Sequence, residues 1–369
     1  MAITIPKALT VAALKQIAIK CGISISGTKP ILTQRLQDEL PRITSPDTSS
    51  SSANSQPLRI LSVDMGIRNF SYCLLEVPPS NSTSKSKKRP EPATPILQSW
   101  QKLSLLPQSP TPTPSPSPSL SDPETGGEIK DKDKVRNEFT PDILSAAAYK
   151  LLRHTLLPLS PTHILIERQR FRSMGSKHIL EWTIRVNMLE SMLWATLKTL
   201  SEEKVWAGKV VEITPRKVGT FLIEESGPLE EEAEKFKKVR NTTAAKARNK
   251  GAKIDLVRRW LEGQSDDESS HDEMVRIGSQ QVQEIKERYT EKWDRKPGRI
   301  KGSKSKSKSP SVASSASSTT TGEEKKEVKD VGKLDDLADC LLQGMAWLKW
   351  QENRKRALEK GVEVLLDDE

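Results

Sequence analysis

Arg59-Ile-Leu-Ser-Val-Asp64-Met-Gly66-Ile-Arg-Asn69-Phe-Ser-Tyr-Cys-Leu-Leu-Glu-Val77 is the stretch whose reading decides the fold. Up to Asp64 its residues suit a strand, with long or branched apolar side chains around a small Ser62. Gly66 and Asn69 mark a tight turn, and Phe70 to Val77 reads as a second strand, so the whole predicts a hairpin. Asp64 then stands at the last buried position of a strand, held rigidly where a ligand could sit. The plain alternative is an Asp that only caps the Gly turn.

Ile96 to Leu105 predicts a third strand. Pro141 to Leu156 predicts a helix, with Pro141 in its first turn, and His163-Ile-Leu-Ile-Glu167 a buried strand. Three antiparallel strands, a helix and a further strand match the opening order of the ribonuclease H-like fold. The fold class expected is therefore α/β, a mixed sheet flanked by helices. Glu167 is a second carboxylate at a strand end, followed by the basic run Arg168-Gln169-Arg170-Phe171-Arg172. Its plain alternative is a local ion pair with those arginines. Lys177 to Leu200 carries Ile179, Trp182, Val186, Leu189, Leu193 and Leu197 at helical spacing. Met188, Met192 and Trp194 widen that apolar face enough for a dimer contact. Val210 to Thr214 predicts another strand, after which Pro215 opens a helix with Arg216 and Lys217 at the sheet edge. Leu229 to Lys253, which includes Lys250 and Lys253, reads as a charged, solvated helix.

Near the C-terminus, Lys333-Leu-Asp335-Asp336-Leu-Ala-Asp339-Cys-Leu-Leu342 opens a helix that becomes apolar toward Trp350. Asp335 and Asp339 are four apart and Asp336 and Asp339 three apart, so either pair shares a helix face. Favourable interaction with the helix dipole explains the first Asp, but explains Asp339, a full turn inside, poorly.

Composition limits how much of the 369 residues can pack. Pro- and Ser-rich or Lys/Ser-rich tracts bury too little apolar surface to offset chain entropy. The expected organisation is a helical hairpin over 1–44 and a ribonuclease H-like core over 57–262 and 331–361. Low-complexity insertions are expected at 78–95, 107–135 and 264–330. A formal charge of +10 favours a polyanionic partner. Three scattered cysteines exclude a disulfide framework and fit a reducing compartment. No apolar run reaches membrane-spanning length.

Within the N-terminal unit, Thr10 is a good N-cap and Gly22 a good helix stop, while Thr28 and Pro30 open a second helix. The pattern Val11-x-x-Leu14-Lys15-x-Ile17, Gly22-Ile23, Gly27-x-Lys29 and Leu32-x-x-Arg35-Leu36 resembles the SAP motif, a module that binds duplex or branched DNA through basic helix ends. That resemblance makes Lys15, Lys29 and Arg35 candidate DNA contacts. No acidic residue precedes Asp38, a bias shared with mitochondrial presequences, although the residues suit a hairpin better.

Asp64, Glu167 and the Asp335/Asp336/Asp339 group would repel one another if gathered bare. A divalent metal resolves that repulsion, and oxygen ligands without Cys or His suit Mg2+ or Mn2+. Two such ions about 4 Å apart can drive phosphodiester hydrolysis. Ser62 to Asn69, Ile164 to Arg172, Arg185-Val-Asn187 and Lys333 to Leu342 together resemble the fungal mitochondrial Holliday junction resolvases, relatives of bacterial RuvC. The resemblance spans the parts expected to fold. It implies a mitochondrial homodimer that grips a four-way DNA junction and makes paired nicks with Mg2+ or Mn2+. It also implies that Asp64, Glu167, Asp335 and Asp339 are the catalytic carboxylates, with Asp335 ranked above Asp336 as a metal ligand. Arg68, Arg168, Gln169, Arg170, Arg172, Lys177, Arg216 and Lys217 are candidate DNA contacts. A non-catalytic architectural DNA-binding protein and an actin-like phosphotransferase are the competing readings. The first gives no reason for the acidic positions, and the second lacks a second phosphate loop.

Overall fold

In a computed structural model of the chain, the structure describes residues 4–43, 57–78, 94–106, 139–169, 181–225, 243–262, 274–294 and 333–366. The expected hairpin is β1 (Leu58–Asp64) and β2 (Phe70–Val77), and β3 (Ile96–Leu103) pairs antiparallel with β2. β4 (His163–Glu167) lies parallel to β1, and β5 (Lys209–Ile213) parallel to β4. The sheet has six strands in the order β5-β4-β1-β2-β3-β6, which is the ribonuclease H-like arrangement extended by the short β6 (Arg276–Ile277).

Both faces of this sheet are covered, and strand alternation assigns the residues to them. Leu61, Val63, Tyr72, Leu74, Ile164 and Ile166 pack against α3 (Pro141–Leu151) and α4 (Glu181–Glu202). Ile60, Cys73, Leu75, Trp100 and Leu165 face the opposite way, toward α8 (Leu334–Lys360), α6 (Thr243–Glu262) and α5 (Pro215–Glu225). The helix expected from Pro141 to Leu156 changes character at Leu152, where a π-helical turn (Leu152–Leu156) and a 3-10 turn (Leu157–Leu159) lead to Ser160 at φ +49°.

The expectation that 264–330 is wholly low-complexity insertion is corrected. Within it, β6 pairs with β3, and α7 (Gln280–Asp294) joins the core through Val282, Tyr289 and Trp293, with Ile285 packed beside them. Val282, Ile285, Tyr289 and Trp293 recur at helical spacing inside a charged segment, so one apolar stripe docks α7 while its remaining faces stay polar. The insertions expected at 78–95 and 107–135 fall largely or wholly outside the described residues.

α1 (Val11–Lys20) and α2 (Lys29–Glu39) form the expected N-terminal hairpin. Thr10 Oγ1 accepts from the Ala13 amide at 3.2 Å, whereas Thr28 makes no side-chain cap bond. Gly22, at φ +64°, ends α1 as its own amide donates to Ile19 O and the Ile23 amide to Ala18 O. The hairpin is part of the folded body, because Leu14, Ile17, Leu32 and Leu36 share a core with Ala357 of α8 and with Val362 and Leu365 beyond it. The folded unit therefore continues past residue 361, the boundary expected from sequence. No helix among the described residues is long and apolar enough to cross a membrane.

Candidate active site

Strand parity brings the first two carboxylates together. Val63 and Ile166 are register partners on parallel β1 and β4, so Asp64 and Glu167 come next, side by side at the same sheet edge. Both share the parity of Ser62 and Leu165, which places them on the face covered by α8. Their carboxyl groups are within hydrogen-bonding reach of each other, an arrangement that favours a proton on one of the two. Burial, then the charges of Glu167 and Asp339, push Asp64 well above the ordinary carboxylate range, and burial raises Glu167 as well.

The start of α8 is fastened onto the same edge. Ser71 Oγ, in the register partner of Asp64, donates to Asp336 O at 2.6 Å, and Trp100 Nε1 donates to Leu337 O at 3.0 Å. One turn past Asp339, the buried Gln343 donates through Nε2 to Ser62 Oγ (3.1 Å) and lies 3.2 and 3.4 Å from the carbonyls of Val63 and Leu165. Gly344 lets the helix approach, since a Cβ there would stand 2.8 Å from Leu75 Cδ1 and 3.3 Å from Ser62 Cβ. Gln343 and Gly344 escape sequence reading because a Gln-Gly pair inside an apolar helix carries no motif.

The helix then separates the three aspartates by face. Asp335 and Asp339 turn toward α6, where Lys250 pairs with Asp335 and Lys253 Nζ reaches Asp339 Oδ1 at 2.7 Å. Asp336 turns the other way and pairs with Lys102 of β3 at 2.7 Å, both side chains largely buried. Burial raises Asp339 despite Lys253, whereas for Asp335 the Lys250 contact outweighs burial and lowers it. Lys250 and Lys253, read from sequence as part of a solvated helix, thus lie against the carboxylates. Pairing across 85 and 86 residues of chain leaves no local signal.

Among the described residues no group of three or more His, Cys, Asp or Glu side chains is already gathered to hold a metal ion. Asp64 and Glu167 face each other, while Asp335 and Asp339 pair with the two lysines of α6. The donor set itself, carboxylate oxygens without Cys or His, fits a hard divalent cation and not a thiophilic one.

Next to Glu167 along the chain, an open groove of about 770 Å³ is lined by Arg168, Gln169, Asn187, Glu190, Ser191, Trp194 and Glu212. Glu190 accepts from the Gln169 amide at 3.1 Å, and Arg168 pairs with Glu212 at 3.1 Å. Arg68, exposed in the β1–β2 turn, lies with its guanidinium 5.6 Å from the centre of the Phe139 ring. Arg216 is exposed at the start of α5. Lys217 is half-buried, its pKa lowered by burial and by Arg354 and Arg35 against the opposing pull of Glu39, so it faces the N-terminal hairpin. Arg170, Arg172 and Lys177 lie outside the described residues. In the hairpin Lys15 is exposed. Lys29 donates to Lys7 O at 2.9 Å, and Arg35 to Ser24 O (2.7 Å) and Ser26 O (2.6 Å), so these two bind the module's own backbone. Met188, Met192 and Trp194, expected as a surplus face, are half-buried against the core. Among the described residues, the exposed apolar side chains on α3 and α4 are Ile143, Tyr149, Trp182 and Ile184.

Comparison with known proteins gives concordant results. The chain is 27% identical over 255 residues to the mitochondrial cruciform cutting endonuclease 1 of Schizosaccharomyces pombe, covering 68% of this chain and 75% of that protein. It is 24% identical over 316 residues to the protein of the same name from Saccharomyces cerevisiae, covering 82% and 71%. A solved structure, that of the yeast mitochondrial Holliday junction resolvase Ydc2, aligns over 96% of this chain and 99% of its own, with 20% identity and a TM-score of 0.49. The model of the family described as mitochondrial resolvase Ydc2 / RNA splicing MRS1 matches residues 60–357, from within β1 to the last turn of α8, and the chain belongs to that family.

Proposed function

We propose that this protein is a mitochondrial endonuclease that resolves four-way DNA junctions, hydrolysing phosphodiester bonds with Mg2+ or Mn2+ held by Asp64, Glu167, Asp335 and Asp339. One observation carries this reading. Two strand-end carboxylates lie side by side, and Asp339 of α8 stands near enough for its charge to act on both, with Asp335 one turn before it, although they are separated by up to 275 residues of chain. A solvated surface does not gather half-buried carboxyl groups in this way, because each one costs desolvation. The compartment is that of both named relatives and of the family description.

A divalent cation at this site supplies Lewis acidity and an activated water. The chain's own residues orient the donors. β1 and β4 fix Asp64 and Glu167 through their ladder, and Ser71, Trp100 and Gln343 fix the turn of α8 that carries Asp339. Asp336 is committed to Lys102 and takes no part in ligation. Arg68, Arg168, Gln169 and Arg216 are suited to phosphate contacts, which position DNA without reading its sequence. Two symmetric nicks require two such sites. The exposed Trp182 and Ile184 on α4, with Ile143 and Tyr149 on α3, offer an apolar face for a second copy of the chain.

The test is cleavage of a labelled four-way junction with a branch-migratable core, against linear duplex, with Mg2+, with Mn2+ and with chelator. The expected result is paired nicks near the crossover, dependent on metal and absent on duplex. Junction binding without cleavage under either metal would overturn the nuclease reading. It would leave a nucleic-acid-binding protein nearer the splicing side of the family description.

A further inference from the structure

Lys250 and Lys253 are three residues apart on α6 and share a helix face, and each takes one member of the Asp335/Asp339 pair. The helix presenting them is anchored through Ile254, Val257 and Leu261 in the core. α7 braces it, with Tyr289 Oη donating to Ile254 O at 3.3 Å and Trp293 Nε1 to Asp255 Oδ1 at 2.9 Å. The lysines are therefore aimed by packed structure, yet their side chains keep 62% and 40% of their exposure, against 13% for Lys102 on Asp336. Lys253 also stands close enough for its charge to act on Glu167.

A lysine ammonium is a point charge with three donors on a flexible stem and no fixed fork, and can pass from one anion to another without rebuilding a planar pair. Partly exposed ion pairs are individually weak, so a doubly charged cation can displace them. We propose that Lys250 and Lys253 are exchange residues. They hold Asp335 and Asp339 while no divalent cation is bound, and they turn onto the phosphate of the scissile strand once the carboxylates are taken by the metal. The proposal rests on the metal-dependent reading above and assigns α6 and its brace α7 a positioning role at the site.

This exchange couples two effects of opposite sign. Removing a lysine removes a competitor for the carboxylates, so the metal binds more tightly. It also removes a phosphate contact, so cleavage at saturating metal slows. A residue with a merely structural role would lower both. The experiment is Mn2+ binding to the full chain without DNA, read from the EPR signal of free Mn2+, for wild type, Lys253→Gln, Lys250→Gln and the charge control Lys102→Gln. Single-turnover cleavage at saturating Mn2+ follows on the same proteins. Lys253→Gln is expected to tighten Mn2+ about tenfold and to slow cleavage about tenfold, the scale of one close charge partly screened by solvent. Lys250→Gln should do the same more weakly, and Lys102→Gln should change Mn2+ affinity less than about twofold. Unchanged Mn2+ affinity in both α6 variants, equal tightening by Lys102→Gln, or undiminished cleavage at saturating metal would each overturn the exchange. Wild-type protein that binds no Mn2+ would overturn the metal reading itself.

Discussion

At its C-terminal end α8 meets the N-terminal hairpin through close packing, while at its N-terminal end, about 40 Å away for 27 residues, it meets the site through charges. Trp350 lies where any side chain at Gly22 would go, and Ala357 is enclosed by the hairpin's leucines. Asn353 Nδ2 donates to Lys20 O at 2.7 Å and Arg354 Nε to Cys21 O at 2.8 Å, so α8 satisfies carbonyls that the end of α1 leaves open. Those contacts are packed and directional. Asp335 and Asp339 are instead neutralised by flexible lysines that another cation can replace. One end of the helix fixes where the hairpin sits, and the other keeps its anions available.

Breaking the charged end should give the largest effect. Asp339→Asn keeps the fold and lowers single-turnover junction cleavage at least about a thousandfold, the scale seen when a member of a catalytic group is removed. Breaking the packed end should act on stability. Gly22→Ala combines φ +64° with a Cβ 2.4 Å from the Trp350 ring. A loss of about 3 kcal/mol in denaturant unfolding is expected from strain and overpacking. Its junction affinity should fall with the displaced hairpin, while its cleavage rate at saturating junction stays near wild type.

Gln343→Leu lies between the two ends. It leaves Ser62 Oγ without its amide partner and should cost about 1–3 kcal/mol. It should also slow cleavage by loosening the turn that carries Asp339. The smallest effect is a gain. Asp64 is raised above its ordinary 3.8, so the folded state holds a proton there that the unfolded chain has released. That difference lowers stability as pH rises from about 3.8 through the raised value, and it is absent at lower pH. Asp64→Asn removes the penalty. In chelator its melting temperature should exceed wild type at pH 7 and converge with it below about pH 4, as differential scanning calorimetry would read.

Much of both ends was legible in the sequence for local reasons. The hairpin is announced by Thr10, Gly22 and Pro30, and Asp64 and Glu167 by carboxylates closing apolar strands. Period-two alternation then decides their face. What was not legible depends on contacts through space. The stripe Val282, Ile285, Tyr289 and Trp293 sits in a segment whose average composition resembles a linker, so α7 was missed. Lys250 and Lys253 look like any solvated lysines until α6 is laid beside α8. Lys29 and Arg35 match a DNA-binding motif by position, yet nearby carbonyls hold them. Spacing alone leaves Asp335 and Asp336 open; Lys102 stands on the Asp336 side of the helix, and the proposal of Asp335 as the ligand rests on that.

The most direct test of the account is single-turnover cleavage of a branch-migratable four-way junction in Mn2+ by wild type, Asp64→Asn and Asp336→Asn, with junction binding measured on the same proteins. The account predicts that all three bind the junction within about threefold of one another, that Asp64→Asn loses at least about a thousandfold in rate, and that Asp336→Asn still cuts. An Asp64→Asn protein that cuts like wild type, or an Asp336→Asn protein that is as inert as Asp64→Asn while folded, would contradict it.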